Sequence, residues 1–411
     1  MELYKELNKK YGTHFMSDYS INLPIVFETL DLSEDMIDDI FQYYLKNSHL
    51  SGICGRMFHI ASSCKHLTEK LIDKYKQYLS WNKISYYINL SEDFIEEHTD
   101  FIDWSIISIQ QKLSENFIRK FSDKLDWYRI SMNQDLSEEF ILENADKVHW
   151  RNICQYQKLS EKFMEENRDL IYWDIVSTNQ VLSEEFIKRN PFLMKDYFIF
   201  QFQKLSEDFI VNCEFSKNFK TRITTFQKLS NDFILNHNDL IDMGDVAIYQ
   251  KLPEEFIEEN KYSLILKNVC KYQKLSKKFI KKYSDMLDLS LIKDNWIYKS
   301  AKEKKCLMIE TDKYECYDDY FIAYKAIRPD RYSLFNFQYK YEKGGVYESW
   351  CDCSGNEDSF GLNVGTEEFA NDYGASALKH IIVRCKVRYE DVGRIVHNGN
   401  KIRCFKIEIL D

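Results

Sequence analysis

The 411-residue chain carries 12 glycines and 4 prolines, about 4% together against roughly 12% in average usage, which disfavours turn-dense, sheet-rich architecture for most of its length. Hydrophobic content of 44% and charged content of 30% exclude disorder and collagen-like structure, and a net charge of −10 argues against broad nucleic-acid or anionic-membrane binding. No run approaches the roughly 18 apolar residues of a membrane span, the N-terminus MELYKELNKKYG lacks a signal peptide's apolar core, and the eleven scattered cysteines read as small apolar residues of a reducing cytoplasm.

Residues 1–31, with Tyr11, Phe15, Tyr19, Ile25 and Phe27, read as an N-terminal cap. A repeat follows. Leu-Ser-Glu-Glu-Phe-Ile or a variant begins at Leu32, Leu67, Leu90, Leu113, Leu136, Leu159, Leu182, Leu205, Leu229, Leu252 and Leu275. From Leu67 onward the step is 23 residues except one of 24 between Leu205 and Leu229, and an irregular segment with Gly52 and Gly55 separates Leu32 from Leu67. Taking the Leu as position 0, the Ser or Thr at +1 is a helix N-cap and the acidic residues after it suit the positive end of the helix dipole. Phe at +4 and Ile at +5 form an apolar face, and Asn or His at +8 is expected to stop the helix through its tolerance of the left-handed conformation.

A second helix carries apolar residues at +12, +14 and +17. Five of the seven tryptophans occupy +14: Trp81, Trp104, Trp127, Trp150 and Trp173. Later units have Phe219, Met243, Leu266 and Leu289 there. This stripe reads as stacked core rather than a ligand groove, because only stacking buries the face of so short a unit. Glutamine stands at −2 in eight successive units, as Gln111, Gln134, Gln157, Gln180, Gln203, Gln227, Gln250 and Gln273. An amide with donors and an acceptor at each junction is expected to bond free backbone groups of neighbouring turns as a structural ladder.

The fold expected is mainly α: an α-solenoid of about eleven two-helix units over residues 32–312, closed near Trp296, Ile297 and Tyr298, with a small α+β domain over 313–411. The last 99 residues hold eight of the twelve glycines, which marks the boundary. In that domain residues 321–327, 380–387 and 402–410 read as strands, 366–374 as a helix with Thr366 as its N-cap, and Gly344-Gly345 and HNGNK as turns. Solenoids bind macromolecules along an extended face. Outer positions such as Glu96, Glu97, Glu165, Glu166, Lys281 and Lys282 vary in charge while the core pattern holds.

FGLNVGTEEFANDYG, HIIVRCKVRYEDVGRIV and NGNKIRCFKIEIL together resemble the C-terminal domain of the B-type rapid-lysis (rII) proteins of T-even-like phages and related domains of large DNA viruses. Asn363 stands where that family commonly has His. Arrays of LSEEFI units are similar to repeat proteins of giant viruses. The resemblance implies a viral setting, in the host cytoplasm, more than a mechanism; the solenoid itself is expected to act as a non-enzymatic scaffold or adaptor with host or viral protein partners, without nucleic acid, membrane or cofactor. A second resemblance is to ADP-ribosyltransferases, in the order of a Tyr-Lys strand, a Gly-Gly turn, an aromatic-Gly-Leu strand, a Thr-initiated helix and two strands. It implies an alternative catalytic module that binds a dinucleotide, with Lys325, Thr366, Tyr373 and Glu408 in the functional places. Lys325 replaces the Arg or His of that family, and Lys is not equivalent to Arg at a bidentate site. Cys351-x-Cys353 is a weak zinc candidate without the paired C-x-x-C knuckles of structural sites, and reads first as buried thiols. No Walker A, G-x-G-x-x-G, G-x-S-x-G or H-E-x-x-H pattern occurs.

Overall fold

The computed structural model describes residues 3–12, 27, 32–46, 51–194, 197–293, 295–334, 337–374 and 380–411. Phe15, Tyr19 and Ile25 of the expected cap lie outside these. Each regular unit is two helices of six and seven residues, as in Glu92–Glu97 and Trp104–Gln110. Such helices are marginal alone, so their stability comes from packing. Ser91 holds extended backbone and its Oγ accepts from Phe94 N at 3.2 Å, a cap repeated at Ser114, Ser137, Ser160 and Ser183. The Phe and Ile of the first helix and the apolar residues at +12 and +17 are buried, as with Phe140, Ile141, Val148 and Ile153.

Three rows of hydrogen bonds join successive units. In the first, Gln111 Nε2 donates to Ser85 O (3.0 Å) and Ile88 O (2.7 Å) of the unit before, and its Oε1 accepts from Leu90 N (2.9 Å). Gln134, Gln157, Gln203, Gln227, Gln250 and Gln273 make the same three bonds. In the second, a hydroxyl at +18 receives the backbone N–H at +13 of the next unit, as with Ser108 and Asp126 (3.0 Å) or Ser131 and His149 (2.9 Å). In the third, the Glu at +2 accepts from the N-cap Ser of the next unit, as Glu115 does from Ser137 N at 2.7 Å. Glu34 accepts in the same way from Thr68 Oγ1 at 3.0 Å, so Leu32 does begin a unit despite the irregular segment after it.

Two expectations change. Asn144 ends its helix at φ −118°, outside the left-handed region, and closes it with its side chain, Nδ2 donating to Phe140 O at 3.0 Å; Asn167 and Asn190 do the same. The tryptophans are half-buried at the start of the second helix. Trp127 Nε1 donates to Ser122 O at 3.0 Å, and its ring stacks on Phe140 of the next unit with centroids 6.1 Å apart. The array ends at Tyr298, whose hydroxyl accepts from Leu275 N at 2.9 Å where another unit would supply Gln.

Beyond it, helix Ala301–Glu310 starts with a Ser300/Glu303 capping box. The C-terminal sheet comprises β1 (Glu315–Cys316), β2 (Tyr320–Ile327), β3 (Val346–Glu348), β4 (Leu362–Gly365), β5 (Ile381–Arg388), β6 (Val392–Val396), β7 (Lys401–Cys404) and β8 (Lys406–Ile409). The strands are antiparallel in the order β3-β8-β5-β2-β4-β7-β6, with β1 paired to β2. Met308, Phe321, Val383, Cys385, Ile402 and Ile409 share its core.

The chain forms two compact units, Met1–Tyr172 and Trp173–Asp411, so it parts inside the repeat array rather than at 312/313, where composition changes. The reason lies in the second unit, where the sheet domain is bonded to the repeats. Phe337 N donates to Phe202 O (2.9 Å), Gln338 Nε2 to Gln203 O (3.1 Å), and the Phe360 and Tyr249 rings lie 4.9 Å apart.

Candidate functional site

Within the second unit a cleft of about 740 Å³ opens between the repeats that begin at Leu205, Leu229 and Leu252 and the sheet domain. One wall comes from the repeat itself. Lys228, Lys251 and Lys274 occupy the same position, one before the repeat Leu, and the 23-residue period sets them in a row of exposed ammonium groups. The last residue of the second helix, aromatic in Phe226 and Tyr249, lines the cleft beside them.

The opposite wall is supplied by β2, β4, the Glu367–Gly374 helix and the segments that flank β3 and β8. Lys325 on β2 donates from Nζ to Asn363 O at 2.9 Å and lies 5.2 Å from the Tyr341 ring centroid. Lys304, on helix Ala301–Glu310 and only 2% exposed, donates to Glu390 O at 3.1 Å. Neither bond is to a carboxylate, and burial pushes both ammonium groups below the usual lysine range. Lys401 is paired with Asp358 (3.2 Å) and Lys406 with Glu348 (2.7 Å).

Altogether seven lysines line the cleft against three carboxylates, Glu348, Glu390 and Asp391, in a chain whose net charge is −10. Burial, with Glu390 alongside, raises Asp391 to about 6, so it gains its proton in mildly acidic solution and stays mostly ionised at neutral pH. Two wall groups, Trp350 Nε1 and Asn363 Oδ1, are buried without a hydrogen-bond partner among the described residues.

Of the four residues implied by the transferase resemblance, Lys325 and Tyr373 line this cleft. Thr366 N-caps its helix, Oγ1 accepting from Phe369 N at 3.2 Å. Glu408 is a correction: it pairs in register with Lys386, and Lys386 with Ile322, so strand alternation puts it on the sheet face opposite Lys325, where it lies 3.7 Å from Lys386 Nζ. No lysine and glutamate of that set therefore face one bound molecule. Cys351 and Cys353 are buried with Ile297 and beside Trp350 and Phe405, and among the described residues no group of three or more His, Cys, Asp or Glu stands where it could hold a metal ion.

In the first unit a different surface stands out. Tyr128, His149, Arg151 and Tyr172 are all exposed and form two side-chain pairs spread over three successive repeats. The Tyr128 and His149 rings lie 4.9 Å apart, and the Arg151 guanidinium lies 5.9 Å from the Tyr172 ring. Each pair joins position +15 of one unit to +13 of the next, so the strip is a product of the repeat geometry. The strip leaves no period in the sequence, because no single residue type recurs at these positions. No helix among the described residues is long and apolar enough to cross a membrane. No protein-family model, curated protein or solved structure matches the chain.

Proposed function

We propose that the chain is a non-enzymatic interaction scaffold whose repeats hold a protein partner through the strip Tyr128–His149–Arg151–Tyr172. The strip is the observation that carries this reading: tyrosine and arginine are the residue types in which binding energy concentrates at protein interfaces. The repeated polar residues that could otherwise do chemistry, Gln at −2, Ser at +18 and Glu at +2, are bonded between units. The resemblance to viral repeat proteins suits a host protein as the partner, met in the cytoplasm.

The test is site-specific photo-crosslinking in cells that express the full chain. A benzophenone amino acid at Tyr128 or Tyr172 should give one and the same covalent adduct, and at the 84%-exposed Tyr262 of the other compact unit none. Absence of an adduct at both strip positions, or the same adduct from Tyr262, overturns the proposal.

A further inference from the structure

The scaffold role leaves the cleft of the second unit unexplained, and its chemistry is specific. Its volume of about 740 Å³ falls in the ordinary range of small-molecule sites, roughly 300–1,000 Å³. Its charge is opposite to that of the chain as a whole. Lys304 is buried and Lys325 half-buried, each hydrogen-bonded to a backbone carbonyl and not to a carboxylate, and although Asp391 attracts Lys304 from a distance, an anion bonded to both would complete the arrangement. The row Lys228, Lys251 and Lys274 adds exposed cations on the facing wall. Between these walls stand the aromatic residues Tyr249, Tyr339, Trp350, Phe360 and Tyr373. Cations alone would fit inorganic phosphate, and rings alone an apolar ligand. The two together fit a molecule that is a polyanion at one end and a flat aromatic at the other. The walls also include Trp350 and Asn363, whose Nε1 donor and Oδ1 acceptor are buried without a partner among the described residues, groups of the kind that pair with the edge of a nucleobase.

We infer that the cleft binds a nucleoside polyphosphate, its phosphates among Lys304, Lys325 and the Lys228–Lys251–Lys274 row and its base against the aromatic wall. Binding is non-covalent and asks no reaction of the site. It also gives the docked sheet domain a purpose, since both walls carry cations and rings and the cleft exists only where the two walls face each other.

Isothermal titration of the full chain with ATP, tripolyphosphate and adenosine at constant ionic strength tests this. Saturable 1:1 binding of ATP, at least tenfold tighter than either fragment, is expected. Lys304→Met/Lys325→Met should weaken ATP at least tenfold while melting no lower than the parent without ligand, because Met relieves two buried charges. Should that variant fold poorly, Lys228→Ala/Lys251→Ala at exposed positions should still weaken ATP at least threefold. Lys112→Ala/Lys158→Ala, at the same repeat position in the first unit, should leave it unchanged. Tripolyphosphate binding as tightly as ATP, adenosine binding as tightly as ATP, no saturable heat from ATP, or equal loss in the Lys112/Lys158 variant each overturns the assignment.

Discussion

Leu136 donates its backbone N–H to Gln157 Oε1 at 3.1 Å, while Gln157 Nε2 reaches Ser131 O at 3.0 Å and Gln134 O at 2.8 Å. One buried side chain thus satisfies three backbone groups of the preceding unit, groups that the ends of six- and seven-residue helices leave free.

Replacing Gln157 with Ala strands a donor and two acceptors out of water. A buried group left unsatisfied costs about 1–3 kcal/mol, so Gln157→Ala should lower the unfolding free energy by a few kcal/mol. Thermal unfolding followed by circular dichroism measures this, and an unchanged melting curve would sink the structural reading of the ladder.

Arg403 and Asp352 form a fully buried pair in the sheet domain, Nη1 to Oδ2 at 3.0 Å, with Arg403 Nη2 also donating to Ser354 O at 2.9 Å. Asp352→Ala leaves a guanidinium without a counter-charge and should destabilise the second compact unit by roughly 3–5 kcal/mol. Replacing both partners together with apolar residues should cost much less. Urea unfolding of the single and double variants separates the two, and equal losses would contradict the pairing.

Asp391 stands above its ordinary value of 3.8, at about 6, because burial penalises its charged form; Glu390 and Glu348 raise it further, and Lys406 and Lys304 oppose them. An acid whose folded pKa is raised favours the fold when protonated. Its contribution is present below about 4 and is lost as pH rises through about 6. Asp391→Asn should flatten the stability profile across that window and be more stable than the parent near neutral pH. Melting temperatures across the window decide it; parallel profiles for the two proteins would refute the shift.

The repeat was legible because short units must bury the same positions each time, and burial writes a period into the sequence. Its 23-residue step, the Ser N-caps and the Phe-Ile face follow from that alone. The row at Ser85, Ser108, Ser131 and Ser177 is broken by Cys154 and gives way to Phe200, Ala247 and Cys270 in later units, and serine also suits exposed helix surface, so its recurrence does not single it out. Asn144 ends its helix for a different reason from the one inferred, since composition names a residue but not which of its groups is used. The cleft was hidden because it depends on residues far apart in the chain, such as Phe360 against Tyr249, meeting through docking that no local pattern encodes. Lys325 lines the cleft as the transferase resemblance implies and Glu408 does not, because a one-residue alternation along β8 decides which face a side chain serves.

The most direct measurement is capture of the partner by three full-length proteins in parallel: the parent, Tyr128→Ser/Arg151→Glu/Tyr172→Ser, and Lys304→Met/Lys325→Met. The first and third should retain the same protein at equal yield, and the second, folded by circular dichroism, should lose at least nine-tenths of it. Capture that survives in the strip variant, or that disappears in the cleft variant alone, would contradict the assignment of partner binding to the first compact unit.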